Sequence, residues 1–164
     1  TFPEPGFISI VALSGGVAEV IHQGFAAYYC HNSHVAEVAD VAIENGQPVV
    51  KRVVCVVDCG IVVNPTGAHA QIEGGILHSL SATLYGEVTI ENGAAVQGNF
   101  DTYPVVRMSE TPAVIHTHIM ESTAPPGGVG EPGVPPISPA IVNAYFAATG
   151  KRVRELPLRN TGSA

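Results

Sequence analysis

Valine and isoleucine alternate with small or acidic residues through Val35-Ala-Glu-Val-Ala-Asp-Val-Ala-Ile43, the period of a half-buried strand. Glu44-Asn45-Gly46-Gln47 follows, and Asn-Gly takes the positive φ that tight hairpin turns require. Val49 to Val57 returns as the partner, so residues 35–57 predict one antiparallel ribbon. Downstream the period changes. Ile72, Ile76, Leu80 and Leu84 recur every four residues with Leu77 beside them, which predicts a helix within 67–85. Gly74 and Gly75 each cost that helix about 1 kcal/mol, so close approach of another group is expected there. Ile137, Ile141, Val142, Tyr145 and Phe146 predict a second helix. Its signals are Ser138 as a cap, Pro139 in the first turn, Gly150 at C′, and Lys151 and Arg152 near the negative end.

Weaker patterns complete the chain. Phe25 to His34 reads as a strand entering a turn, with His31 and His34 as polar loop or surface residues. Gly86 to Gln97 repeats the hairpin signal around Asn92-Gly93, and Asn64-Pro65 marks a turn. Val114 to Glu121 alternates as a strand that puts His116 and His118 on one face; packing or exposure is favoured over a metal, since no third ligand is in sight. Arg154 to Leu158 is expected to be a last short strand and Arg159 to Ala164 a frayed end or tag, while residues 1–22 stay unassigned. There is no internal repeat and no domain boundary. The expected class is α+β, antiparallel hairpins packed with two main helices, in one unit spanning 1–164.

Only 13% of the residues are charged while 46% are hydrophobic, too little charge to cover a free surface. Much of the exterior is therefore expected to be buried against more of its own chain or a partner. The net charge of −7 argues against nucleic acid and anionic membrane surfaces as partners. No apolar window approaches the ~20 residues of a transmembrane helix. The chain begins Thr1-Phe-Pro-Glu-Pro, without an initiator Met or signal peptide, and reads as a piece of a longer one. Cys30, Cys55 and Cys59 are an odd set without zinc partners at ligand spacing. Cys55 and Cys59 are expected to share one face of a strand as buried thiols.

The stretch Thr123-Ala-Pro-Pro-Gly-Gly-Val-Gly-Glu131-Pro-Gly-Val-Pro-Pro136 places one carboxylate among glycines and prolines. Glycine permits close approach of the backbone, proline stiffens it, and Pro132 biases Glu131 toward an extended conformation. A rigid, shaped turn that positions Glu131 is one reading; a surface connection whose glutamate faces water is the other. Glycine, proline and valine around the carboxylate predict desolvation, which suits a general base.

Several segments in order resemble the molybdenum hydroxylase family, the xanthine dehydrogenase and aldehyde oxidase type. They are Val35 to Val41, Arg52 to Gly60, Val63-Asn-Pro65, Gln71-Ile-Glu-Gly-Gly75 and Pro125 to Pro132. The resemblance covers most of 34–158 and is strongest to the C-terminal part of the large subunit in the isoquinoline 1-oxidoreductase and bacterial aldehyde dehydrogenase branch. It implies a portion of a molybdopterin-binding domain and an oxidoreductase that hydroxylates an aromatic N-heterocycle or oxidises an aldehyde with water-derived oxygen. Glu131 is its expected base. Gln71, Gly74, Gly75, Gly128, Val129 and Gly130 are its expected cofactor contacts, with the molybdenum held by the pterin and not by protein ligands. Molybdopterin, as such or as its cytosine dinucleotide, would be the cofactor. Iron-sulfur clusters are expected on a separate small subunit, and the remainder of the large subunit is the other expected partner. The piece alone is expected to be inactive. A cofactor-free structural or interaction domain, and a small-molecule binding domain with an apolar cleft, are the competing readings; the first has little physical reason to keep Glu131 in this setting, and retention of heterocycles without turnover or cofactor would favour the second.

Overall fold

The computed structural model describes residues 20–159. The expectations for the apolar stretch at 7–13 and for the end at 160–164 lie outside the described residues. In chain order the elements are β1 (His22–Cys30), β2 (Ser33–Glu44), β3 (Gln47–Asp58), α1 (Pro65–Tyr85), β4 (Ile90–Glu91), β5 (Ala94–Ala95), β6 (Val114–Ile119) and α2 (Ile137–Thr149). A 3-10 turn, Met108–Glu110, precedes β6.

The ribbon is β2–β3, closed by Asn45 and Gly46 at positive φ. A bulge at Asp40/Val41 shifts its register. There the Asp40 carboxylate accepts from Arg52 Nε at 2.7 Å and Gln23 Nε2 at 2.8 Å, so the kink is pinned by charge-assisted hydrogen bonds. β1 pairs antiparallel to β2 through the two-residue turn His31-Asn32, which extends the expected ribbon to a three-stranded meander. The fourth strand departs from expectation: β6 pairs parallel to β3. The sheet, ordered β1-β2-β3-β6, is therefore mixed. A parallel partner needs a crossover, and α1 lies within that connection.

Both helices pack on one face of this sheet. Val35, Ala39, Val53, Cys55 and Val57 meet Ile72, Ile76 and Leu80 of α1 and Ile137, Ile141 and Ala144 of α2 in one buried core. Each such isoleucine or leucine contributes on the order of 1.5–3 kcal/mol. α2 lies almost on the backbone of β1, because a Cβ at Gly24 would come within 2.0 Å of the Ala140 carbonyl oxygen.

Three local expectations need correction. Ser138 does not cap α2, whose N-cap is Pro136. The Ser138 hydroxyl instead contacts Thr83 and, at 3.2 Å, Ser79, so its hydrogen bonds join the two helices. Residues 154–158 form no strand, since Pro157 lacks a ladder donor, although Leu158 is anchored in the core. Cys59 is buried in the same core as Cys55 but lies one residue beyond β3. The Gly150 cap is as expected, at φ 70° with its N–H on the Phe146 carbonyl. Arg152 stacks over the Phe146 ring at 3.9 Å.

Candidate active site

The glycine- and proline-rich stretch from Thr123 is a fixed strap across the ends of three elements. At its start the Ile61 N–H donates to the Ala124 carbonyl at 3.0 Å, and the Gly127 N–H to the Cys59 carbonyl at 2.8 Å. Gly60 turns at φ 70°, and a Cβ there would lie 2.2 Å from the Pro125 carbonyl oxygen. Next the strap meets the β1–β2 turn. The Gly128 N–H donates to the His31 carbonyl at 2.8 Å, and the Ser33 hydroxyl donates to the Gly128 carbonyl at 2.7 Å. Side chains at 127 and 128 would collide with Ser33 and His31 at 2.5 and 2.8 Å, so these two glycines serve close approach.

The strap then crosses α1. Gln71 Nε2 donates to the Gly130 carbonyl at 2.7 Å, and the Val134 N–H closes a turn on the Glu131 carbonyl at 2.8 Å. A Cβ at Gly133 would sit 2.8 Å from the Ile72 carbonyl oxygen, while one at Gly75 would meet Val134 at 3.3 Å. The group that approaches the paired glycines of the helix is thus the strap itself, at Gly75. Gly74 faces open space, with nothing within 4 Å of a Cβ there, and the same holds for Gly130. Val129 is half-buried and packs on the core.

α1 starts earlier than its apolar stripe shows. The Asn64 side chain accepts from the Gly67 N–H at 3.0 Å and Pro65 occupies the first helical position, so the Asn-Pro turn is a helix start signal. Between this start and the strap lies a cleft of about 310 Å³ lined by Val62, Asn64, Gly67, Pro126, Gly127 and Val129, among others.

Glu131 stands on the strap with its backbone fixed on both sides. Its carboxylate is not enclosed as expected: the side chain is 62% exposed, because the neighbouring prolines and glycine turn inward while the glutamate turns out. Its partner is His31, whose Nε2 lies 3.1 Å from Glu131 Oε1. The Cys30 thiol is the third group, with Cys30, His31 and Glu131 offering ligand atoms within 4.8 Å of one another. Burial pushes the Cys30 thiol up, and the Glu131 charge adds to that. Sequence reasoning treated His31 as an ordinary loop residue. The available signal was His-Asn between two strand patterns, since both residue types tolerate the left-handed region. His116 and His118 stack at 6.4 Å on the exposed face of β6 and join no three-ligand group among the described residues.

The geometry brings Glu131, Gln71, Gly128, Val129 and Gly130 together around the strap, with Gly75 beneath it and Gly74 one position along the helix. Among solved structures, quinoline 2-oxidoreductase from Pseudomonas putida 86 shares this fold with a TM-score of 0.71 and 25% identity, over 80% of this chain and 18% of that one. The isoquinoline 1-oxidoreductase subunit beta of Brevundimonas diminuta is 41% identical over 130 residues, 78% of this chain and 16% of that protein. A membrane-bound aldehyde dehydrogenase of Gluconacetobacter polyoxogenes, whose name carries pyrroloquinoline quinone, is 41% identical over 124 residues, 74% of this chain and 16% of that protein. The chain thus spans 16% of the length of these two relatives. Residues 16–112, more than half of the sequence, match the molybdopterin cofactor-binding domain family, and the chain belongs to that family.

Proposed function

We propose that this chain is the base-bearing portion of the large subunit of a molybdopterin-dependent oxidoreductase that hydroxylates an aromatic N-heterocycle or oxidises an aldehyde. One observation carries the reading: in a molybdopterin-binding family member, Glu131 is the only carboxylate on a strap whose backbone is fixed against three elements. A general base needs that fixed position.

The residues present fit the cofactor. The backbone N–H groups of Val129 and Gly130 have no hydrogen-bond partner among the described residues, and the Gly74 and Gly130 faces are open. Gln71 uses one amide hydrogen on Gly130 and keeps its second hydrogen and its carbonyl oxygen for a pterin ring. Free donors beside glycines with open faces are what an electron-rich, flat ligand requires. Bound molybdopterin supplies the two-electron acceptor and the activation of water-derived oxygen. Glu131 would take up a proton there, and the strap fixes the backbone from which its carboxylate projects. Gly128 contributes shape, since its N–H is already committed to His31.

The finer assignment is a cytosine dinucleotide form of the cofactor, iron-sulfur clusters on a small partner subunit that carry electrons away, and the remainder of the large subunit closing the substrate pocket. No described helix is long and apolar enough to cross a membrane. The test is Glu131→Gln in the complete complex: turnover of heterocycles and aldehydes is lost while molybdenum content stays at the wild-type level. Near-normal turnover in a fully loaded variant would remove Glu131 from its role. Cofactor released on denaturation discriminates further, because a quinone without molybdenum would align the chain with its Gluconacetobacter relative, and neither cofactor would favour a structural domain.

A further inference from the structure

We infer that His31 is a positioning residue for Glu131, donating a hydrogen bond that selects and holds the productive rotamer of the catalytic carboxylate. The inference rests on the assignment of Glu131 as the base.

Three independent features converge on it. The first is the contact: His31 Nε2 and Glu131 Oε1 are 3.1 Å apart across 100 residues of sequence. An ionised carboxylate only accepts, so Nε2 carries the proton and the imidazole donates. The second is the backbone. His31 and Asn32 sit at φ 50° and 58°, the left-handed pair of a two-residue hairpin turn, a place ordinarily filled by Asn-Gly. A histidine there is less favourable than asparagine or glycine, and conformations of this kind persist where the surroundings over-determine them. The third is the clamp. Gly128 N–H to His31 carbonyl at 2.8 Å and Ser33 hydroxyl to Gly128 carbonyl at 2.7 Å tie the turn to the strap three residues before Glu131. The backbone contacts therefore fix the separation of the two residues' main chains, within which the imidazole reaches the carboxylate.

The polar groups that meet the pair from its own turn and from α1 carry no charge. Facing the pair, the one other titratable group in the cluster is the Cys30 thiol, which burial and the Glu131 charge keep in its neutral form. From α1 the strap receives a neutral amide, Gln71. With 62% of the Glu131 side chain exposed, packing alone does not choose its rotamer, and the His31 bond is what does.

Two variants in the complete, cofactor-loaded complex separate this role from turn stability. His31→Asn keeps a residue that tolerates positive φ but is too short to reach Oε1. His31→Gln keeps a donor near the place of Nε2. Loss of the positioning bond is expected to lower kcat about 10- to 100-fold, the scale of a roughly 1 Å misplacement, in His31→Asn, with KM and molybdenum content unchanged and much of the rate restored in His31→Gln. A crystal structure of His31→Asn is expected to show the strap backbone unmoved and the Glu131 carboxylate spread over several rotamers. Assays include a chelator, since thiol, imidazole and carboxylate together also take up adventitious zinc. Wild-type kcat in loaded His31→Asn overturns the inference, as does an equal loss in both variants accompanied by lost molybdenum. A dead Glu131→Gln beside a fully active His31→Asn would sink the positioning role alone; an active, loaded Glu131→Gln would sink the base assignment beneath it.

Discussion

Glu37 is the residue whose position most contradicts its chemistry. It is fully buried on the core face of β2 between Val35 and Ala39, and no nitrogen or oxygen donor among the described residues reaches either carboxyl oxygen, which leaves the Cys55 thiol as a weak one. Burial pushes its pKa up to about 8, with the Cys55 thiol opposite only partly offsetting it. A raised carboxyl is stabilising in its neutral form, so that contribution is whole below the ordinary value of 4.5 and is lost as pH climbs to about 8. The expected slope across that window is about 1.4 kcal/mol per pH unit from this group alone. Glu37→Gln removes the proton and should flatten the fall in apparent unfolding temperature of the complete large subunit across that window; an identical slope in variant and wild type would show that the carboxyl is not neutral in the fold. The reading of 35–43 as valine or isoleucine alternating with small or acidic residues did not single out Glu37, although a period of two places position 37 on the face of Val35.

At the scale of elements, glycine reports how closely segments pass. Gly24 lets α2 lie on β1, and Gly24→Ala drives a methyl into backbone atoms of Ala140 and Ala144 at 2.0 and 2.3 Å. Overpacking of this kind costs about 1–3 kcal/mol or more, measurable as a lower unfolding temperature and a smaller soluble yield. Gly74 is the contrasting case, since a Cβ there meets nothing within 4 Å. Gly74→Ala should stabilise α1 by up to about 1 kcal/mol in cofactor-free protein. If the cofactor lies against that face, the same variant lowers molybdenum content; unchanged content would show that Gly74 leaves no room for anything bound. The paired glycines were legible as a close approach. Their division of labour was not, because which face of a helix meets the strap depends on chain returning from residue 133.

For the whole molecule the two faces of the sheet differ. One carries both helices; the other leaves Phe25 and Tyr29 exposed and Val38 and Val54 half-covered. A sheet with a bare apolar face requires a second layer, in keeping with 13% charge and with a relative about five times as long. The isolated 164-residue chain is expected to bind a hydrophobic fluorescent dye strongly, and the complete large subunit far less. Equal, weak dye binding by both would mean that this face is not an internal interface.

The sequence by itself determined what short-range patterns encode. The β2–β3 ribbon follows from its apolar pattern and the Asn45-Gly46 turn, both helices from stripes spaced by three and four, and the end of α2 from Gly150. The resemblance carried by its ordered segments reached the family. Only the tertiary structure decided the parallel pairing of β6, the outward turn of Glu131 and the meeting of His31 with it across 100 residues. Those depend on where the strap is tied, at Cys59, His31, Ser33 and Gln71, and contacts between distant segments leave no periodic trace in either one.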